Sequence, residues 1–235
     1  NTSAHNIKMM KALGATIVMV DQRDENGGFL GTRIAYINEI LVQDRRYFWL
    51  NQYANPENPA SHARTTARSI ANKFEHIDYL FIGAGTTGTL MGCVQFFQEH
   101  RPHTKIVAVD SVGSVTFGRP AGKRYIPGLG TSRRPEIFSP DGIYAFEMID
   151  ESDAIAMCRY IARTNGLLGG GSTGTVLAGV HRWRERIPAH STVVAISPDL
   201  GERYLDTIYD DHWVMERFGN KPLTAPLYLD IPTAA

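Results

Sequence analysis

Apolar positions along this chain alternate between a helical rhythm and short continuous runs. Ile7, Met10 and Leu13 recur on one helical face between Ser3, which can cap, and Gly14, which can end the helix. Thr16-Ile17-Val18-Met19-Val20 is then a β-branched run, read as a strand, bounded by a polar loop at Asn26-Gly27-Gly28. Ile34, Ile37 and Leu41 share a face of a helix over 30–42, and Tyr47-Phe48-Trp49-Leu50 reads as a buried strand. Asn55-Pro56-Glu57-Asn58-Pro59 breaks both rhythms, because two prolines so close oppose a helix interior and a central strand.

Beyond that break the alternation is regular. It predicts a helix over 60–74, a strand over 78–82, a helix over 88–99 and a strand over 105–110. The run Ile106-Val107-Ala108-Val109 is continuous in the manner of a strand buried on both faces of a parallel sheet. A long irregular stretch covers 111–140. A strand over 144–148 follows, then a helix over 151–165 capped by Asp150 or Ser152, a glycine loop over 166–174, a helix to Arg186, and a strand over 192–196. From Gly201 the pattern gives a short helix-like segment and an irregular tail. Strands alternating with helices give an α/β fold with mostly parallel sheets.

Composition narrows the classes. Across 235 residues, 24 Lys+Arg balance 24 Asp+Glu, so no electrostatic footprint for nucleic acid or an anionic membrane exists. No run reaches the roughly 18 apolar residues of a membrane helix. Cys93 and Cys158 fall in apolar helical stretches and read as buried hydrophobes of a reducing, cytoplasmic compartment. No Cys/His spacing suits a metal.

Chemistry concentrates in two glycine loops. Gly83-Ala84-Gly85-Thr86-Thr87-Gly88-Thr89 joins a strand to a helix and carries three glycines and three threonines, more than a βα turn needs. Backbone N–H groups and hydroxyls at a helix N-terminus suit a phosphate. Gly83, Gly85 and Gly88 also satisfy G-x-G-x-x-G, with Asp110 placed 22 residues past Gly88 as a dinucleotide fold would have it. The second loop, Gly169-Gly170-Gly171-Ser172-Thr173-Gly174, has no specific use in that reading. It suits a ring-bearing phosphate cofactor, with Ser172 set against the ring heteroatom or simply capping the helix. A neutral hydroxyl there would favour an unprotonated pyridine nitrogen.

Five collinear segments then resemble the pyridoxal-phosphate enzymes of the cysteine synthase/cystathionine β-synthase type, which have the tryptophan synthase β-like fold (fold type II). These are Asn51 to Pro59, Gly83 to Gly92, Ile126 to Gly130, Gly171 to Gly174 and Pro198 to Leu205, within about residues 1–218. The runs Ala108 to Gly118, Pro127 to Ile137 and Asp206 to Trp213 are similar to the branch that forms N-(2-amino-2-carboxyethyl)-L-glutamate, a 2,3-diaminopropionate precursor for siderophores and antibiotics. The resemblance implies a partial small substrate-side domain at 1–55 and a large pyridoxal 5'-phosphate domain at 56–235. It implies phosphate binding by Gly85, Thr86, Thr87, Gly88 and Thr89, and a ring-nitrogen contact at Ser172. Gln52 would bind the substrate carboxylate, Tyr53 close over it, and Gly128 lie beside the amino group. The implied reaction is β-replacement of O-phospho-L-serine by L-glutamate in a cytoplasmic homodimer, a plain cysteine synthase being the alternative within the family. A nicotinamide-binding module and a non-catalytic subunit are the alternatives outside it. Arg133 and Arg134 are candidate partners for the substrates' acidic groups, or a solvated pair.

The family's Schiff-base lysine lies in a Pro-Gly-x-x-Lys-Asp segment, and its Ser-Gly-Asn loop also precedes the matching region. Neither is found here; Lys8, Lys11, Lys73, Lys105, Lys123 and Lys221 lack that context. The expectation is a truncated chain with no catalytic lysine of its own, inactive alone.

Overall fold

The computed structural model describes residues 4–25 and 27–224, so Ser3, Asn26 and the tail past Thr224 lie outside the described residues. The chain divides into two compact units, Asn1–Asn51 and Gln52–Ala235.

The first unit holds two helices, α1 (Ala4–Ala12) and α2 (Leu30–Gln43). Gly14 ends the first at φ +86°, where its N–H reaches Lys11 O at 3.0 Å. The second starts without a capping side chain at Phe29; instead Asp24 carboxylate oxygens accept from Gly28 N (2.8 Å) and Gly31 N (2.9 Å). That places an anion where the helix N-terminus is partly positive. The strands expected at 16–20 and 47–50 are not formed. A strand needs a neighbour to accept its ladder, and none pairs with either run among the described residues. The buried setting expected for the second run is also absent, with Tyr47, Phe48 and Leu50 all exposed.

In the second unit, α3 (Glu57–His62), a π-helical turn (Ala63–Ala67) and α4 (Arg68–Lys73) form one uninterrupted helix. It begins before the expected residue 60. Pro59 sits in the first turn, where no N–H is required, and Asn55 Oδ1 accepts from Glu57 N at 3.0 Å. There follow β1 (Tyr79–Gly83), α5 (Gly88–His100), β2 (Lys105–Ser111), β3 (Ala145–Ile149), α6 (Glu151–Asn165), α7 (Gly171–Trp183) and β4 (Val193–Ala195). A 3-10 turn (Gly201–Tyr204), α8 (Asp211–Phe218) and α9 (Lys221–Thr224) complete it. α8 forms where the sequence pattern predicts an irregular tail; Asp210 caps it by accepting from Trp213 N at 2.6 Å, and Val214 is buried. Asp150 holds the N-cap position of α6 without a side-chain cap bond. α7 begins at Gly171, inside the expected loop, so Ser172 lies in a helical first turn; it ends at Trp183 rather than Arg186.

The four strands pair in parallel in the order β3-β2-β1-β4, with Leu80 opposite Ile106 and Val194. Alternation divides them between two cores. Tyr79, Phe81, Val107 and Val109 pack with Ile155, Cys158, Val176 and Trp183 from α6 and α7. Leu80, Ile82, Ile106 and Ala108 pack with Ala71, Leu90, Cys93 and Phe97 from α4 and α5. Both faces being covered explains the continuous apolar runs. It also leaves the C-terminal strand ends as the place where loops can gather around a ligand.

Candidate functional site

At the end of β1 the chain enters the first glycine loop. Ala84 N donates to Val109 O at 2.8 Å, and Gly130 N donates to Ala84 O at 3.0 Å, tying the loop to β2 and to the Gly128 turn. Gly83 has no room for a Cβ, which would lie 2.8 Å from Leu129. A Cβ on Gly85 would lie 3.0 Å from Gly128 O, and one on Gly88 only 2.0 Å from Asn58 Oδ1. Asn58 is itself fixed, since its Nδ2 donates to Gln52 O at 2.6 Å. Thr87 stands at the N-cap of α5 in the left-handed region (φ 68°, ψ 4°), an uncommon and costly conformation for a threonine. Its Oγ1 is buried without a hydrogen-bond partner. Gly85, Thr86 and Thr89 are half-buried, and Thr89 Oγ1 stands 3.4 Å from His62 Nε2. Burial holds the His62 imidazole below its usual range. An orphan hydroxyl, a helix N-terminus with no side-chain cap and a glycine-lined backbone fit a phosphate monoester.

The second loop is braced from behind. Ser172 is buried, and its Oγ donates to Asp199 Oδ1 at 3.2 Å. Tyr204 OH donates to Asp199 Oδ2 at 2.7 Å. Gly170 N donates to Asp199 O, and Tyr209 OH to Gly169 O. Gly174 lets α6 approach α7 so closely that a Cβ there would lie 2.3 Å from both Ala154 O and Cys158 Sγ. Gly128 (φ +111°) faces Ser172, whose Cβ would be 3.5 Å from a Cβ added at 128.

These contacts join Gln52 through Asn58 to Gly88, and Gly85 through Gly128 to Ser172. The Gln52 side chain is exposed, and Tyr53 O accepts from Ile137 N at 3.1 Å. Arg133 is paired with Glu136, and Arg134 lies 4.9 Å over the Phe138 ring, so neither stands as a free cation. Asp110 does not sit where a ribose could reach it. It is fully buried, accepts from Ser111 N at 2.7 Å, and burial pushes its carboxyl up to about 6. Asn58 and Asp199, the two side chains that shape the glycine loops, were not singled out from sequence. Each lies within a segment recognised there, but nothing in linear order pairs either with its glycine.

The family profile described as "Pyridoxal-phosphate dependent enzyme" matches residues 1–199. The chain belongs to that family. It is 38% identical over 213 residues to N-(2-amino-2-carboxyethyl)-L-glutamate synthase of Ralstonia nicotianae, covering 90% of this chain and 63% of that protein. The crystal structure of O-ureido-L-serine synthase superposes with a TM-score of 0.80 at 29% identity, over 89% of this chain and 66% of that one. The O-acetylserine dependent cystathionine β-synthase of Helicobacter pylori gives 0.80 at 28% identity, over 88% and 67%. The chain therefore spans less than two thirds of the length of the Ralstonia relative. The fold is the tryptophan synthase β-like fold type II, as the sequence resemblance implied, and the family's cofactor is pyridoxal 5'-phosphate. No helix among the described residues is long and apolar enough to cross a membrane.

Proposed function

We propose that this chain is the cofactor-binding part of a synthase that replaces the phosphate of O-phospho-L-serine with the amine of L-glutamate, giving N-(2-amino-2-carboxyethyl)-L-glutamate. The 38% identity to the Ralstonia synthase named for that product carries this reading. In it, the α5 N-terminus with Gly85, Thr86, Thr87, Gly88 and Thr89 holds the cofactor phosphate, and Ser172 meets the ring nitrogen. Gln52 binds the substrate carboxylate, Tyr53 closes over it, and Gly128 leaves room for the amino group. When bound, pyridoxal 5'-phosphate supplies the electron sink that lets the substrate's Cα proton and Cβ leaving group depart. The chain's own residues fix the phosphate, set the ring plane and shape the pocket.

None of the chain's lysines takes the role of the covalent anchor in this reading. Lys105 sits at the N-terminal end of β2, the opposite end from the loops, with Nζ 3.3 Å from Tyr79 OH. Lys221 is paired with Asp153 at 3.1 Å, and Lys123 lies 4.6 Å over the Tyr125 ring. The same reading assigns residues 1–55 to a small substrate-side domain and 56–235 to the cofactor domain. The family resemblance supports a cytoplasmic homodimer supplying 2,3-diaminopropionate chemistry.

A second reading is a sulfhydrylase of the cysteine synthase type, favoured by the likeness to a synthase named for O-acetylserine. Product analysis of the whole enzyme separates the two. The glutamate adduct formed from O-phospho-L-serine and L-glutamate supports the first. Cysteine formed only from O-acetyl-L-serine and sulfide would replace it with the second.

A further inference from the structure

We infer that Glu151 is a positioning residue: its carboxylate holds the Tyr125 and Ile126 N–H groups and so fixes the Gly128 turn against the amino-acid part of a bound substrate. This rests on the proposed placement of the substrate amino group beside Gly128. It adds a side chain that lies outside every segment carrying the family resemblance.

Glu151 opens α6 just past the end of β3. An acid in a first turn ordinarily answers its own helix N-terminus. Both oxygens of Glu151 are instead spent on a distant segment. Oε1 accepts from Ile126 N at 2.8 Å and from Tyr125 N at 3.0 Å, and Oε2 accepts from Tyr125 N at 2.9 Å. The side chain is buried. Burial raises its carboxyl, while the Ile126 and Tyr125 N–H groups and the Arg124 guanidinium oppose that rise, so donors and a cation face it from the turn. A hydrogen bond to an ionised acceptor is roughly twice as strong as a neutral one. Pro127 has no N–H, so residues 125 and 126 are where a backbone bond can fix the entry to the turn. The exit is fixed by Gly130 N, which donates to Ala84 O at 3.0 Å. Between them Ile126 occupies the space in front of Gly171, where a Cβ would lie 2.2 Å from its Cγ2, and Leu129 does the same at Gly83, 2.8 Å away. Gly128 stands within this span at φ +111°. Releasing the entry therefore moves Gly128. It leaves the first glycine loop in place, because Ala84 N is held separately by Val109 O at 2.8 Å.

Calorimetry with two ligands tests this without needing a covalent lysine. Deoxypyridoxine 5'-phosphate carries the ring and the phosphate alone, and phosphopyridoxyl-L-serine adds the amino nitrogen, Cα and carboxylate. Glu151→Gln keeps the size of the side chain but sets an NH2 group against the N–H groups of the turn. It should weaken the serine adduct about tenfold and leave deoxypyridoxine 5'-phosphate within about twofold, with circular dichroism unchanged. Equal losses for both ligands would make Glu151 a structural residue only and overturn the inference, as would an unchanged affinity for the adduct. A wild-type chain that binds neither ligand would overturn the placement of the cofactor, and this inference with it. One that binds deoxypyridoxine 5'-phosphate but not the adduct would overturn the placement of the amino group at Gly128. Amide hydrogen exchange of the wild-type chain needs no variant to fold. The Tyr125 and Ile126 amides should be protected, and rapid exchange at both would refute the positioning role.

Discussion

Replacing Gly88 by alanine should destabilise the second unit and weaken cofactor binding together, because the glycine's missing side chain is occupied by Asn58. The new Cβ would lie 2.0 Å from Asn58 Oδ1, 2.4 Å from Cγ and 2.6 Å from Nδ2, inside any van der Waals contact. Asn58 cannot swing away freely, since Nδ2 donates to Gln52 O at 2.6 Å. Losing that bond costs about 1 kcal/mol, and forcing extra volume into a packed contact costs about 1–3 kcal/mol. Alanine returns up to about 1 kcal/mol through its helix propensity. The net expectation is a loss of about 1–3 kcal/mol, or about 2–4 °C of Tm per kcal/mol for a domain of this size. Urea unfolding gives the stability, and quenching of tryptophan fluorescence by pyridoxal 5'-phosphate gives the binding.

The double mutant supplies the decisive number. Asn58→Ala removes all three clashing atoms, so Gly88→Ala should cost little in that background. The interaction term should then reach about 1–3 kcal/mol in favour of the double mutant. Costs that add to within about 0.5 kcal/mol would mean that the two residues do not meet as described, and the reasoning would fail.

Other expectations follow from single groups. Thr87→Gly relieves a left-handed φ of 68° and should raise stability by about 1 kcal/mol, yet weaken cofactor binding through the lost hydroxyl; tighter binding would refute the assignment. Burial pushes the Cys93 and Cys158 thiols up to about 12, so both should resist iodoacetamide at pH 8 in the native chain and react in urea. The Asp110 carboxyl, pushed up to about 6, stays protonated in the fold where the unfolded chain has ionised. Its contribution is therefore full below about pH 4 and is lost as pH rises to about 6. Asp110→Asn should flatten that part of the stability profile and stabilise at pH 7 by about 1–3 kcal/mol, read from urea melts across pH. Borohydride treatment of the chain incubated with pyridoxal 5'-phosphate should leave no specific phosphopyridoxyl-lysine by peptide mass mapping; stoichiometric labelling of one lysine would refute the proposed absence of a covalent anchor.

Residues with a rhythm of their own were legible in the sequence. The helices over 30–43 and 151–165 and the strands at 79–83 and 105–111 stand where apolar periodicity puts them, because each buries a face through its own spacing. The runs at 16–20 and 47–50 have strand composition but no ladder partner among the described residues, and composition cannot supply one. The deeper gap concerns the glycines. Their density in the loops was read as room for a ligand. Much of that room is filled by the protein: Asn58 lies against Gly88, Gly128 O against Gly85, and Asp199 against Gly170. These contacts cross about 30 residues or more, and no local pattern encodes them. Glycine count alone therefore credits the ligand with space that side chains already use. The case for a phosphate rests instead on what the packing leaves unsatisfied, the buried Thr87 hydroxyl and the uncapped N-terminus of α5. On that reasoning Thr87, one of the five residues that the family resemblance implies at the phosphate, becomes the one whose substitution bears most directly on the cofactor site.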